Sequence, residues 1–141
     1  MMHPRHLLIS ASLTAALALA ACSSKGKPQI DENLFPADYR NAILNTVMTS
    51  KLMDPTNIRE ASITDPFLKP VPGGGATRYV VCTRFNARDS MRQYMGVAEY
   101  VAYFYAGDLT QFVKPTGDVC AGAAYKPFPE LEKVCLGDKC S

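Results

Sequence analysis

The chain has 141 residues, of which 48% are hydrophobic, and a formal net charge of +2 at neutral pH. That length allows one modest domain, and so small a charge gives no reason to expect nucleic acid or an acidic surface as partner. Both histidines, His3 and His6, lie at the extreme N-terminus, so the remaining sequence lacks the imidazole that Ser-His-Asp, Cys-His and most zinc sites require, and no cofactor or metal is expected.

The first segment has the pattern of an export signal. Arg5 supplies a positive start, and Leu7 to Ala20 is apolar or small apart from Ser10, Ser12 and Thr14. This run is shorter than the ~20 residues of a membrane span and suits the apolar region of a cleavable signal. It ends in Leu19-Ala20-Ala21-Cys22, which resembles the lipobox of bacterial lipoproteins. Small residues fit the peptidase pocket, and the thiol forms a thioether with diacylglycerol. The resemblance implies cleavage before Cys22 and lipid on that residue, so that the membrane becomes a partner through the anchor. Ser23 follows the cysteine, which resembles the outer-membrane default of enteric sorting. The expected organisation is a signal peptide over 1–21, a lipidated tether over 22–35 and a single domain over 36–141. No second long apolar run follows, and the domain is expected outside the bilayer.

Ser23 to Phe35 is mostly polar, with Gly26 and Pro28 as breakers, as a tether requires. Pro36 suits a first helical turn and Asp38 favours the helix dipole. Tyr39, Ile43 and Val47 then recur at helical spacing, predicting an amphipathic helix from about Pro36 to Leu52, ended by Asp54-Pro55.

Strand candidates come next. Ile58 to Thr64 closes at Asp65-Pro66, and residues 65–77, with three prolines and Gly73-Gly74-Gly75, read as a loop. Ala-Thr-Arg after the glycines rules out a phosphate-binding P-loop. Arg78 to Asn86 alternates, with Tyr79, Val81, Thr83 and Phe85 on one face and Val80 and Cys82 on the other. Met95 to Ala106 is the longest strand candidate and is rich in β-formers. Gly107-Asp108 is assigned the hairpin turn, with Leu109 to Val113 returning beside it. Beyond Pro115 the chain reads as irregular, with one helical turn near Glu130 to Val134. The expected fold class is α+β: one N-terminal amphipathic helix on a three- to four-stranded antiparallel sheet, stapled by disulfides.

With Cys22 set aside for lipid, Cys82, Cys120, Cys135 and Cys140 remain. An even number in an exported chain argues for two bridges. Of the three possible connectivities, Cys82–Cys120 would tie the sheet to the segment after it, and Cys135–Cys140 would close a small loop. A four-thiolate zinc site fits less well, because only Cys135 and Cys140 are closely spaced. No C-x-x-C redox pair is present.

Leu52-Met53-Asp54-Pro55-Thr56-Asn57, Val81-Cys82, Asn86-Ala87-Arg88 and Tyr94-Met95-Gly96 together resemble a loose group of small proteobacterial periplasmic proteins and lipoproteins. That group's pattern is a helix, L-x-D-P-x-S, a strand, then V-C-x-x-N-A-K-N and Y-x-G before a long strand. The resemblance covers about residues 39 to 106. Asn57 stands where serine is usual, and Arg88-Asp89 where Lys-Asn is usual. It implies fold and compartment and carries no catalytic residues across.

Two sets of residues are candidates for binding. Asn86, Arg88, Arg92 and Tyr94, with Asp89, would make a polar loop, against which stands ordinary turn chemistry. Tyr103 and Tyr105 share a strand face with Val97, Glu99 and Val101, and if exposed would give rigid contact area with polar tips; burial in a two-layer core is the competing reading. Glu99 and Asp108 are the only carboxylates considered for acid/base work. The function expected is a non-catalytic cell-envelope lipoprotein that binds an envelope protein, facing the periplasm from the outer membrane. The alternatives are an inhibitor or ligand-capture module protecting the cell wall, or a wall-glycan hydrolase.

Overall fold

A computed structural model describes residues 26–51 and 54–134. Cys22, Cys135 and Cys140 lie outside the described residues, as do Leu52 and Met53. In chain order the elements are helix α1 (Tyr39–Thr49), strands β1 (Asp54–Ile63), β2 (Phe67–Pro70), β3 (Thr77–Arg88), β4 (Tyr94–Tyr105), β5 (Asp108–Val113) and β6 (Lys126–Pro127), and helix α2 (Pro129–Glu132). The class is α+β with an antiparallel sheet, as the sequence predicts. The sheet has six strands, however, not three or four, in the order β5-β4-β3-β1-β6 with β2 beside β3.

The extra strands have local causes. β2 was hidden by Pro66 and Pro70, which bracket it in a stretch that reads as loop. It pairs with Thr77–Val80 of β3, while β1 pairs with β3 from Thr83 onward, so the two lie end to end along one edge. Thr64 holds the junction. Its N–H donates to the Cys82 carbonyl at 2.9 Å, and its hydroxyl accepts from the Cys82 N–H at 3.0 Å, so a side chain replaces a ladder carbonyl before Pro66 breaks the pairing. β6 is only two residues, too short for any periodicity to mark.

β1 is itself irregular. Its register against β3 slips on both sides of Arg59, and Asn57 and Glu60 have φ of 55° and 56°. These are bulges, which bend and twist the strand. The β4–β5 hairpin turns on Ala106-Gly107, one residue earlier than predicted, with φ of 51° and 87° and Asp108 already paired to Tyr105. Positive φ at both central residues matches the right-handed twist of the flanking strands.

The sheet is covered on both faces. Val81 and Phe85 of β3, Ala102 and Phe104 of β4 and Ile58 and Ile63 of β1 meet Ile43 and Val47 of α1 and Phe128 and Leu131 near α2. The aromatic rings of Phe85, Phe104 and Phe128 are fully buried, each contributing about 1.5–3 kcal/mol by removal from water. On the opposite face Val80, Cys82, Val101 and Tyr103 lie under Val119 and Cys120, with Ala123 and Tyr125 packed alongside. The Cys82–Cys120 disulfide, across a sequence separation of 38, staples this cover in place, as expected. The chain then rounds the outer edge of β1 as β6 and delivers Phe128 to the helix face. There the Phe128 N–H donates to the Ala61 carbonyl at 2.9 Å, and the Ala61 N–H donates to Glu132 at 2.8 Å. β1 thus gains backbone partners on its outer side. Among the described residues no helix is long and apolar enough to cross a membrane.

Candidate functional site

The segment over the disulfide face stops partway along the strands, and Tyr125 marks where it stops. Arg84 and Glu99 are cross-strand partners on that face. The Arg84 guanidinium donates to Glu99 at 2.8 Å and lies 4.0 Å from the centre of the Tyr125 ring. The Tyr125 hydroxyl donates to the same Glu99 carboxylate at 2.5 Å. Burial, followed by the hydrogen bond and charge of Glu99, pushes the Tyr125 phenol well above its usual range, so it stays protonated and keeps donating. Arg84 nevertheless remains 46% exposed along its side chain. Two apolar residues share this face with the cluster: Val97 of β4, 53% exposed, and Val113 of β5, 46% exposed. The result is a planar cation fixed on an aromatic ring, on a face where Val97, next along β4 from Glu99, and Val113, opposite Val101, stand uncovered.

The tyrosines singled out from sequence do not form this surface. Tyr103 is on the predicted face but is 7% exposed, buried beneath the stapled segment, and burial raises its phenol. It serves the core. Tyr105 is half-buried at the hairpin end, with the Arg78 guanidinium 5.0 Å above its ring. The position of a residue within an alternating strand does not reveal what a later segment will cover.

The polar group of Asn86, Arg88, Arg92 and Tyr94 resolves into contacts within the fold. Arg88 donates to Asp54 at 2.7 Å and to Thr56 at 3.1 Å. The Tyr94 hydroxyl donates to the Asn57 carbonyl at 2.8 Å, and the Arg59 guanidinium lies 4.3 Å from the Tyr94 ring centre. Asn86 donates to Glu60 at 3.2 Å and accepts from the Gly96 N–H at 3.0 Å. Gly96, the third residue of β4, has φ of 87° and lies at the register slip between Asn86 and Arg88, a backbone conformation that a side chain would strain. Asp89 accepts from the N–H groups of Met91 and Gln93, closing the β3–β4 turn in which Arg92, at φ of 61°, is exposed. The structure therefore brings together Asp54, Thr56, Asn57, Asn86, Arg88 and Tyr94, separated in sequence, to hold the bulged start of β1 against the end of β3. Arg92 stands apart at the turn.

Glu99 and Asp108 are not brought together. Asp108 opposes Tyr105 at the hairpin end of β4, six residues along that strand from Glu99, or roughly 20 Å at strand rise. Paired glycosidase carboxylates lie about 5–9.5 Å apart. A cleft of about 360 Å³ lies between Thr64–Phe67 and Ala121–Lys126. Lys126 at its rim pairs with Asp65, which also accepts from the Tyr39 hydroxyl at 3.2 Å.

Arg84 and Tyr125 are absent from the sequence candidates, and Val97 is placed there only as a neighbour on the face of Tyr103. Arg84 and Glu99 sit on outward positions of two alternating strands, but their pairing depends on a register that only the turn between them sets. Tyr125 falls in the stretch without periodicity. Comparison with protein-family profiles, curated proteins and solved structures finds no match for the chain.

Proposed function

We propose that this protein is a non-catalytic lipoprotein of the bacterial cell envelope, anchored through Cys22 at the outer membrane and facing the periplasm. Its domain binds a partner protein of an envelope assembly through the uncovered half of the disulfide face. The observation that carries this reading is the Arg84–Tyr125–Glu99 cluster on the same face as the exposed Val97 and Val113. Arginine and tyrosine dominate the energetics of protein interfaces, most of all where their geometry is set in advance. Here Glu99 fixes both side chains before any partner arrives, so little rotamer entropy is left to lose. Val97 and Val113 supply the adjoining apolar area. The export-signal pattern and the lipobox-like stretch ending at Cys22 support a face outside the cytoplasm, and the Cys82–Cys120 disulfide suits an oxidising compartment.

A photo-crosslinking amino acid at Val97, compared with one at Asn45 on the exposed side of α1, tests the reading in intact cells. One discrete crosslinked product from Val97 only, lost when Arg84→Glu is added, is the expected result. Equal products from both positions, or a Val97 product indifferent to Arg84→Glu, would contradict it.

A further inference from the structure

The end of the domain nearest the anchor carries an exposed apolar strap. The residues before α1 do not hang free of the fold. The Ala106 N–H donates to the Glu32 carbonyl at 3.0 Å, and the Glu32 carboxylate pairs with Arg78 at 2.9 Å. Leu34 packs so closely on the hairpin turn that a Cβ on Gly107 would lie 3.3 Å from its side chain. The Phe35 ring stands edge-on to Tyr79, with centroids 5.4 Å apart. The strap therefore crosses the ends of β3, β4 and β5 and is held at three points.

Large apolar side chains stand out from this end, among exposed polar residues such as Gln29, Asp31 and Asn33. Ile30 is 61% exposed, Leu34 53% and Phe35 51%, and Leu68 of β2, 50% exposed, lies directly across from Tyr79. Arg78 neutralises Glu32 and Lys27 is matched by Asp31, so the attraction this end offers is apolar, not ionic. Cys22 is ten residues before Glu32, a span of at most ~35 Å fully extended and typically ~18 Å for a flexible chain. β4 has 12 residues, about 40 Å at strand rise, with the strap at one end and the Asp89–Gln93 turn at the other. A lipid on Cys22 places the strap end within reach of the bilayer and holds it there at millimolar effective concentration, at which a weak contact is occupied.

We infer that Ile30, Leu34, Phe35 and Leu68 form a bilayer-contacting patch that seats the domain on the lipid surface, with the β3–β4 turn pointing away. This rests on the lipid-anchor reading above and adds a second, noncovalent membrane contact. Such side chains enter the boundary between headgroups and acyl chains.

The sequence contains no tryptophan, so single reporters carry no background. Full-length lipidated protein bearing Phe35→Trp, or Met91→Trp in the distal turn, is reconstituted into vesicles of phosphatidylethanolamine and phosphatidylglycerol, with and without brominated lipid. Quenching of the Phe35→Trp emission by at least roughly two-fold, with little at Met91→Trp, is expected. Adding Leu34→Asp and Leu68→Asp should abolish the quenching while the protein stays vesicle-bound. Equal quenching at both positions, or none at either, in protein still held by its lipid would overturn the patch and leave the anchor standing. An unmodified Cys22 thiol in the same preparation would overturn the anchor, and the patch with it.

Discussion

Arg88, the last residue of β3, donates to Asp54, the first residue of β1, at 2.7 Å, and both side chains are about four-fifths buried. Thr56 completes the arrangement by donating to Asp54 from its hydroxyl at 2.6 Å and its N–H at 2.9 Å. Removing either charge strands the other in a partly dry site. Arg88→Ala and Asp54→Ala should each destabilise the domain by about 1–3 kcal/mol, below the value for a fully buried pair. The double variant should lose little more than either single one, because the two losses share one interaction. Urea denaturation of the four proteins measures the coupling.

The same carboxylate predicts an acid dependence. Burial works to raise the Asp54 pKa, but the hydrogen bonds from Thr56 and Arg88 outweigh it and hold the group below its ordinary value of 3.8. A depressed folded-state value means that the unfolded chain binds the proton more readily, so the stabilisation is full above the unfolded pKa and disappears as pH falls through the folded one. Asp65, lowered by Lys126, and Glu130, lowered by Arg40, act in the same direction. The stability difference between wild type and Asp54→Asn should therefore be greatest above about pH 5 and shrink toward about pH 2. Denaturation curves across that range test it.

Thr83 is fully buried between Val81 and Phe85 on the helix-covered face, and its hydroxyl has no hydrogen-bond partner among the described residues. A desolvated hydroxyl left unpaired costs about 1–3 kcal/mol. Thr83→Val keeps the shape and removes that penalty, so it should stabilise the domain by about 1 kcal/mol. A rise in Tm with unchanged circular dichroism is the expected signature.

The stapled segment depends on one bridge. Replacing both Cys82 and Cys120 by alanine should lower stability by about 3–4 kcal/mol. It should also uncover Tyr103, detected as increased accessibility of that ring to nitration while that of Tyr100, half-buried on the other face, does not change.

Where a physical signal was local, the fold was legible. Ile43 and Val47 at helical spacing marked the buried side of α1, and the alternation from Tyr79 to Phe85 assigned β3 its two faces correctly. The prolines flanking β2 masked it, because its pairing is sustained from β3 and by the Thr64 hydroxyl, both distant in sequence. Asn57 and Glu60 gave no sign of being bulges, since neither is glycine. For the site, the resemblance motif located residues that do converge, and their convergence is the joining of β1 to β3. The open surface was illegible because it is defined by where the segment ending at Tyr125 stops, and no residue pattern states that.

The proposed lipid on Cys22 underlies the proposed compartment, partner and seating on the bilayer, and intact mass analysis of protein purified from membranes tests it most directly. The account predicts a chain beginning at Cys22, carrying acyl chains on that residue, with Cys82 and Cys120 joined. A chain still beginning at Met1 with a free thiol at position 22 would contradict it.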